Sequence, residues 1–208
     1  MMIKMDFSKL SDLQVDALRE IGNIGAGNAA TALAQMVNAR VEINVPRVNI
    51  LPFQDVSQLV GGPGAHVAGV YVRVSGSAAA NVLFILPVDN ANRLVDMMLM
   101  RKPGTTWDFG DMESSVLEEV GNIICGTYLN ALSAFTQLTF VSSVPALAID
   151  MAGAILDAIL AHFGAVGEHV LVLETNFKHR GEEVVGDFFM LPEPGGLDTI
   201  LSALGVSN

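Results

Sequence analysis

The sequence predicts an α+β fold: a pseudo-two-fold, duplicated domain whose two halves share one antiparallel sheet, with long helices packed on it. Three observations predict it. The chain repeats itself at a spacing of 99 residues. Each copy opens with a long segment of helical periodicity. Extended segments then follow one another in runs, which favours antiparallel pairing over the strand–helix alternation of a parallel sheet.

The repeat is read by sliding the chain against itself. Asp16-Ala-Leu-Arg-Glu20-Ile-Gly-Asn23-Ile falls on Ser115-Val-Leu-Glu-Glu119-Val-Gly-Asn122-Ile. Gly27 falls on Gly126, Ala32 on Ala131 and Pro46 on Pro145, so both copies place a proline 23 residues after the asparagine. Two copies at so long a period indicate a duplicated domain; a solenoid needs at least three repeats. The chain, 1–208, therefore reads as one domain made of halves at about 8–103 and 107–205.

The elements follow in parallel order. Ser11–Asn38 is helical, with Leu18, Ile21, Ala29, Ala32 and Met36 on one side and Ser11 or Ser8 as the N-cap. Its counterpart is Asp111–Phe135, with Leu117, Val120, Ile124, Tyr128, Ala131 and Phe135 on the equivalent side. Trp107, just ahead of that helix, is placed to staple its N-terminus. Two extended segments split by proline come next: Arg40–Val45 and Arg47–Leu51, then Leu138–Val144 and Ala146–Asp150. A variable segment follows, Phe53–Val60 and a glycine-rich turn in the first half, the helix Ala152–Phe163 in the second. Each half then gives two strands, Val67–Val74 with Ala78–Leu86 and His169–Phe177 with Glu183–Leu191. Each closes with a helix after a proline, Val88–Met100 and Leu197–Leu204. With the strands in sequential runs, the helices are expected on one face of the sheet.

Composition removes several classes of function. Hydrophobic residues make up 51% of the chain and charged residues 16%, enough to order a large core. A net charge of −11 repels a phosphate backbone, so no nucleic-acid partner is expected. The richest apolar stretch, Val141–Phe163, is interrupted by Pro145, Asp150 and Asp157, so no membrane insertion is expected. No apolar h-region follows Lys4, and a lone Cys125 forms no internal disulfide. Together these favour a cytoplasmic location.

The repeated face has a definite geometry. A helix turns about 100° per residue, so from Asp16 the side chain of Glu20 lies at about 40° and that of Asn23 at about −20°. Ser115, Glu119 and Asn122 form the same narrow stripe, away from the core residues. One such acid and amide would be an ordinary solvated helix face. Two copies that keep these residue types while Arg19 becomes Glu118 point to use, although shared ancestry alone is the alternative. An amide takes up no proton at neutral pH, but its carbonyl accepts and its NH2 donates, which suits it to orienting a water. An aspartyl phosphate is an activated electrophile for which orientation suffices. The carboxylate can pair with a cationic group on a partner. The stripe holds no nucleophile and no metal cluster, so it fits a site that works in trans.

The pattern Asp/Ser-x3-Glu-x2-Asn-x22-Pro, with Asp16, Glu20, Asn23 and Pro46 and again Ser115, Glu119, Asn122 and Pro145, resembles the CheC/CheX/FliY family of chemotaxis phosphatases. The resemblance covers nearly the whole chain. Two copies in one chain look like the CheC branch; CheX has one, and FliY carries further regions for which this chain has no room. The resemblance implies that the substrate is phosphorylated CheY, a response regulator. It implies that Asn23 and Asn122 orient the attacking water and that Glu20 and Glu119 anchor to a lysine of the CheY active site. It implies no cofactor of the chain's own, with Mg2+ on the CheY substrate, and binding to CheD, a receptor deamidase.

Two other readings stay open. One is an adaptor that binds and regulates CheD with little hydrolysis, for which the variable helix Ala152–Phe163 is the candidate surface. The other is a small-ligand enzyme built on Gly22-Asn-Ile-Gly25-Ala-Gly27, whose order does not match the dinucleotide fingerprint and which lies in a helix. Helical glycines cost about 1 kcal/mol each, so a close approach, to the sheet or to a partner, is expected to offset them. Cys125 reads as a small buried hydrophobe, and His66, His162, His169 and His179 show no metal-ligand spacing.

Overall fold

A computed structural model describes residues 11–163, 169–179 and 181–205. The first half runs α1 (Asp12–Val37), β1 (Glu42–Pro52), α2 (Val56–Leu59), β2 (His66–Gly76), β3 (Ala80–Pro87) and α3 (Val88–Met98). The second runs α4 (Asp111–Thr136), β4 (Phe140–Ser142), β5 (Ala146–Met151), α5 (Ala152–Phe163), β6 (His169–His179), β7 (Glu182–Pro192) and α6 (Gly196–Ala203). The strands form one seven-stranded sheet in the order β1-β6-β7-β3-β2-β4, with β5 also on β2. All pairings are antiparallel.

The halves exchange edges. β1 of the first half pairs with β6 of the second, and β4 and β5 of the second pair with β2 of the first. The pseudo-two-fold axis therefore passes between β3 and β7, where Phe84 sits opposite Phe188.

α1 starts at a full capping box. The Ser11 hydroxyl accepts from the Gln14 N–H at 3.3 Å, and Gln14 Oε1 accepts from the Ser11 N–H at 2.8 Å. Ser8 lies outside the described residues. α4 starts differently, with Glu113 accepting from the Gly110 N–H at 3.1 Å and from Arg101 at 2.8 Å. The Arg101 hydrogen bond holds the Glu113 carboxyl below its ordinary pKa. Trp107 does not staple this helix: its ring is 82% exposed, and Phe109 packs against the core instead.

α1, α3, α4 and α6 bury their apolar sides on one face of the sheet, with Phe84, Phe177 and Phe188 beneath them. The helices do not all share that face. Ala152, Ile155, Leu156 and Ile159 of α5, with Val56 of α2, cover the other face over Val67, Leu83, Ile85, Val170 and Phe189. The cause is legible in β3, where every residue from Ala80 to Leu86 is buried, so both of its faces need cover. Among the described residues no helix is long and apolar enough to cross a membrane.

Candidate functional site

Three helical glycines set the position of the motif helices. A Cβ on Gly22 would stand 2.7 Å from Leu173 Cδ2, and one on Gly121 would stand 2.5 Å from Val70 Cγ1. Leu173 and Val70 belong to β6 and β2, so each motif helix lies directly on a strand of the opposite half. A Cβ on Gly25 would meet Tyr128 Cδ1 at 2.3 Å, which marks where α1 crosses α4. The expected close approach is thus to the sheet at two glycines and to the neighbouring helix at the third.

With those faces pressed inward, the motif faces outward. Asp16, Glu20 and Asn23 are exposed on α1, and Ser115, Glu119 and Asn122 are exposed on α4. Asp16 accepts from Arg19 at 2.7 Å, in a pair exposed on both sides. The Ser115 hydroxyl donates to the Asp111 carbonyl at 2.7 Å.

The distant proline has a mechanical meaning. Across the β1–β6 ladder, Asn44 pairs with Asn176 and Arg47 with Glu174, so Val45 and Pro46 together face Thr175 in a bulge. A proline has no N–H to give and tolerates that position. Val45 does have one, and it donates to Asn23 Oδ1 at 3.1 Å. The asparagine is therefore tied to the residue just before Pro46, a partner that the sequence reading did not name. In the second half Ser143, Val144 and Pro145 stand against Val72 and Arg73, again with one residue extra at the proline. Among the described residues the Asn122 side chain has no hydrogen-bond partner.

Other groups were also legible or missed. Cys125 is buried, and burial pushes its thiol up to about 12, as suits a small hydrophobe. His179 is a buried strand residue at the end of β6, with Nδ1 at 2.7 Å from the Arg40 carbonyl. No three His, Cys, Asp or Glu residues among those described are grouped to hold a metal. On the face opposite the motif helices, Glu174 of β6 pairs in register with Asp187 of β7. Burial, and then the Glu174 charge, push the Asp187 carboxyl up to about 6.

Comparison with known proteins agrees with this arrangement. The family model described as CheC-like matches residues 13–50 and 112–149, the two segments running from motif helix through proline bulge. The chain is 35% identical over 205 residues to the CheY-P phosphatase CheC of Bacillus subtilis, covering 97% of this chain and 98% of that one. This chain belongs to the CheC-like family. It is 30% identical over 125 residues to the flagellar motor switch phosphatase FliY of the same organism, over 60% of this chain and 32% of that longer one. In fold it is similar to the crystal structure of Thermotoga maritima FliY, with a TM-score of 0.74 at 21% identity, covering 94% of this chain and 98% of that one.

Proposed function

We propose that this CheC-like chain dephosphorylates phosphorylated CheY at two sites, one on α1 and one on α4. The observation that carries the reading is the exposed Glu–Asn pair, present twice, on a chain similar over its length to a CheY-P phosphatase. The partner brings the aspartyl phosphate and the Mg2+ that neutralises it. A motif helix docks against it, and Glu20 or Glu119 accepts a charge-assisted hydrogen bond from a lysine of the partner's site. Asn23 or Asn122 then holds a water in line with phosphorus. The amide carbonyl accepts from the water, and the NH2 donates to a neighbouring oxygen. The water oxygen bonds to phosphorus, the phosphorus–oxygen bond to the aspartate breaks, and that carboxylate leaves with the electron pair. The water's proton passes to the departing inorganic phosphate. The contribution is orientation, with no base required from this chain.

Asn23 suits the role while bonded to Val45. A carbonyl oxygen has two lone pairs, and the Val45 N–H uses one of them. The same bond fixes the amide plane before any substrate arrives.

CheD binding is compatible with this reading. α5 covers the sheet face opposite the motif helices and leaves Ala154, Asp157, Ala158 and Leu160 exposed. A deamidase bound there would leave both stripes open, so adaptor and phosphatase roles can coexist. A cytoplasmic location follows from such partners.

The test is the decay of phosphorylated CheY. The wild-type chain is expected to accelerate it, and Asn23→Ala with Asn122→Ala is expected to abolish that acceleration. A double variant that accelerates decay like wild type rules out the water-orienting role.

A further inference from the structure

Two helical glycines have no internal explanation. Gly22, Gly25 and Gly121 each face an atom that a Cβ would strike, but Gly27 and Gly126 have nothing within 4 Å of that position. Each sits inside a 26-residue helix, where glycine is less stable than alanine by about 1 kcal/mol. Both stand four residues after a motif asparagine, at equivalent places in the two halves. From Asp16, Gly27 lies at about 20° around the helix, on the same stripe as Glu20 and Asn23.

The other end of the stripe is marked as well. Leu13 is 67% exposed and Met112 is 60% exposed, each three residues before the first motif residue and equivalent across the repeat. By the same projection Leu13 lies at about 60°, nearly in line with Glu20 along the helix axis. One exposed large hydrophobe on a surface means little. Two at matched positions on matched stripes mean more, although the Met112 sulfur also lies 3.8 Å from Arg101 Nη2.

We propose that each stripe is a docking footprint about 21 Å long for the phosphorylated receiver domain, with Leu13 or Met112 as its apolar anchor and Gly27 or Gly126 as the point where the partner's backbone closes on the helix. The footprint is continuous with the candidate site, and the inference rests on the phosphatase reading for its occupant. The glycines leave room that this chain does not fill, which a partner's main chain can use. The anchors supply the apolar contact that a purely polar stripe lacks. Glu20 and Glu119 between the two ends match a cationic group on the partner.

The test separates docking from hydrolysis. Affinity is measured for CheY loaded with beryllofluoride, a stable mimic of the aspartyl phosphate, and decay of phosphorylated CheY is followed in parallel. Gly27→Leu with Gly126→Leu is expected to raise Tm, since leucine is the better helix former and meets nothing inside, and to weaken affinity at least tenfold. Leu13→Ser with Met112→Ser is expected to weaken it by about tenfold at unchanged Tm. Glycine variants that bind like wild type overturn the proposal. So does a fall in Tm on their substitution, because the glycines would then serve the chain's own packing. A wild-type chain with no affinity for loaded CheY overturns it too. A wild-type chain that binds loaded CheY without speeding decay, with the variants behaving as expected, keeps the footprint and refutes the phosphatase reading alone.

Discussion

The two motif helices carry the same stripe but are held in place by different means. On α1, Asn23 is bonded to the Val45 N–H, Asp16 is paired with Arg19, and Gly25 lets the helix touch Tyr128. On α4, Asn122 has no partner among the described residues, Ser115 bonds its own helix backbone, and Ile124 stands where α1 has Gly25. The helix–helix crossing is thus asymmetric: glycine on one side receives tyrosine from the other. Duplication set the positions, and each half then solved its packing separately. Identical residues in the two copies can therefore have unequal structural duties, and a substitution should be read copy by copy.

The crossing is where the comparison breaks most easily. Alanine at Gly25 would drive its Cβ into Tyr128, with the ring at 2.3 Å and Cα at 3.0 Å. A backbone atom cannot swing away, so α1 must lift. Overpacking of this kind costs about 3 kcal/mol, against a gain of up to about 1 kcal/mol in helix propensity. Gly25→Ala is expected to lower stability by about 2 kcal/mol in urea unfolding, whereas the same change at Gly27, which meets nothing, is expected to raise it by up to about 1 kcal/mol. Equal effects at the two positions would contradict the crossing geometry.

The next difference lies in the asparagines themselves. Asn23→Ala leaves the Val45 N–H without its acceptor in a bulge that offers no ladder partner, at about 1–2 kcal/mol. Asn122→Ala removes no such bond and is expected to leave Tm within the range of an ordinary surface change. Asn23→Asp sharpens the point, since a carboxylate still accepts from Val45 but has no NH2 to donate. It should keep stability near that of wild type while losing that site's share of phosphate release. A drop in Tm as large as alanine's would show that the Val45 bond carries no stability.

Much of this was legible in the sequence, for definable reasons. The repeat, the helices and the extended segments follow from periodicity, and the outward aim of Glu20, Asn23, Glu119 and Asn122 follows from counting 100° steps. Partner choice between strands was not legible. Nothing local says that β1 must edge β6 of the other half, because that pairing depends on how two duplicated units dock. The second layer had a signal in the sequence: the continuous apolar run Val82–Leu86 within β3 requires cover on both faces. The periodicity also placed Met36 and Phe135 inside, but they are 43% and 51% exposed, and Leu33, Val37, Leu132 and Thr136 are the buried residues of those last turns. Proline spacing was visible as a pattern, but its purpose needed the bulge register.

The smallest expected effect tests the halves away from the motif. Tyr71 pairs with Leu83 across β2 and β3, whereas Glu174 pairs with Asp187 across β6 and β7, on the same sheet face. The first half therefore has an aromatic–aliphatic pair where the second has two carboxyl groups. Asp187 titrates near 6 in the folded chain against an ordinary value of 3.8. The folded state then holds the proton more tightly than the unfolded state, so between about pH 4 and pH 6 stability falls as pH rises. Above pH 6 that loss is complete, because the charged carboxyl must sit half-buried beside Glu174. Asp187→Asn removes the charge at nearly the same volume. It is expected to raise stability by about 1 kcal/mol at pH 7.5, a Tm gain of about 2–4 °C, and to change little at pH 3.5. Thermal unfolding of both chains across that range reads the difference directly, and parallel curves for variant and wild type would show that Asp187 contributes nothing to the slope.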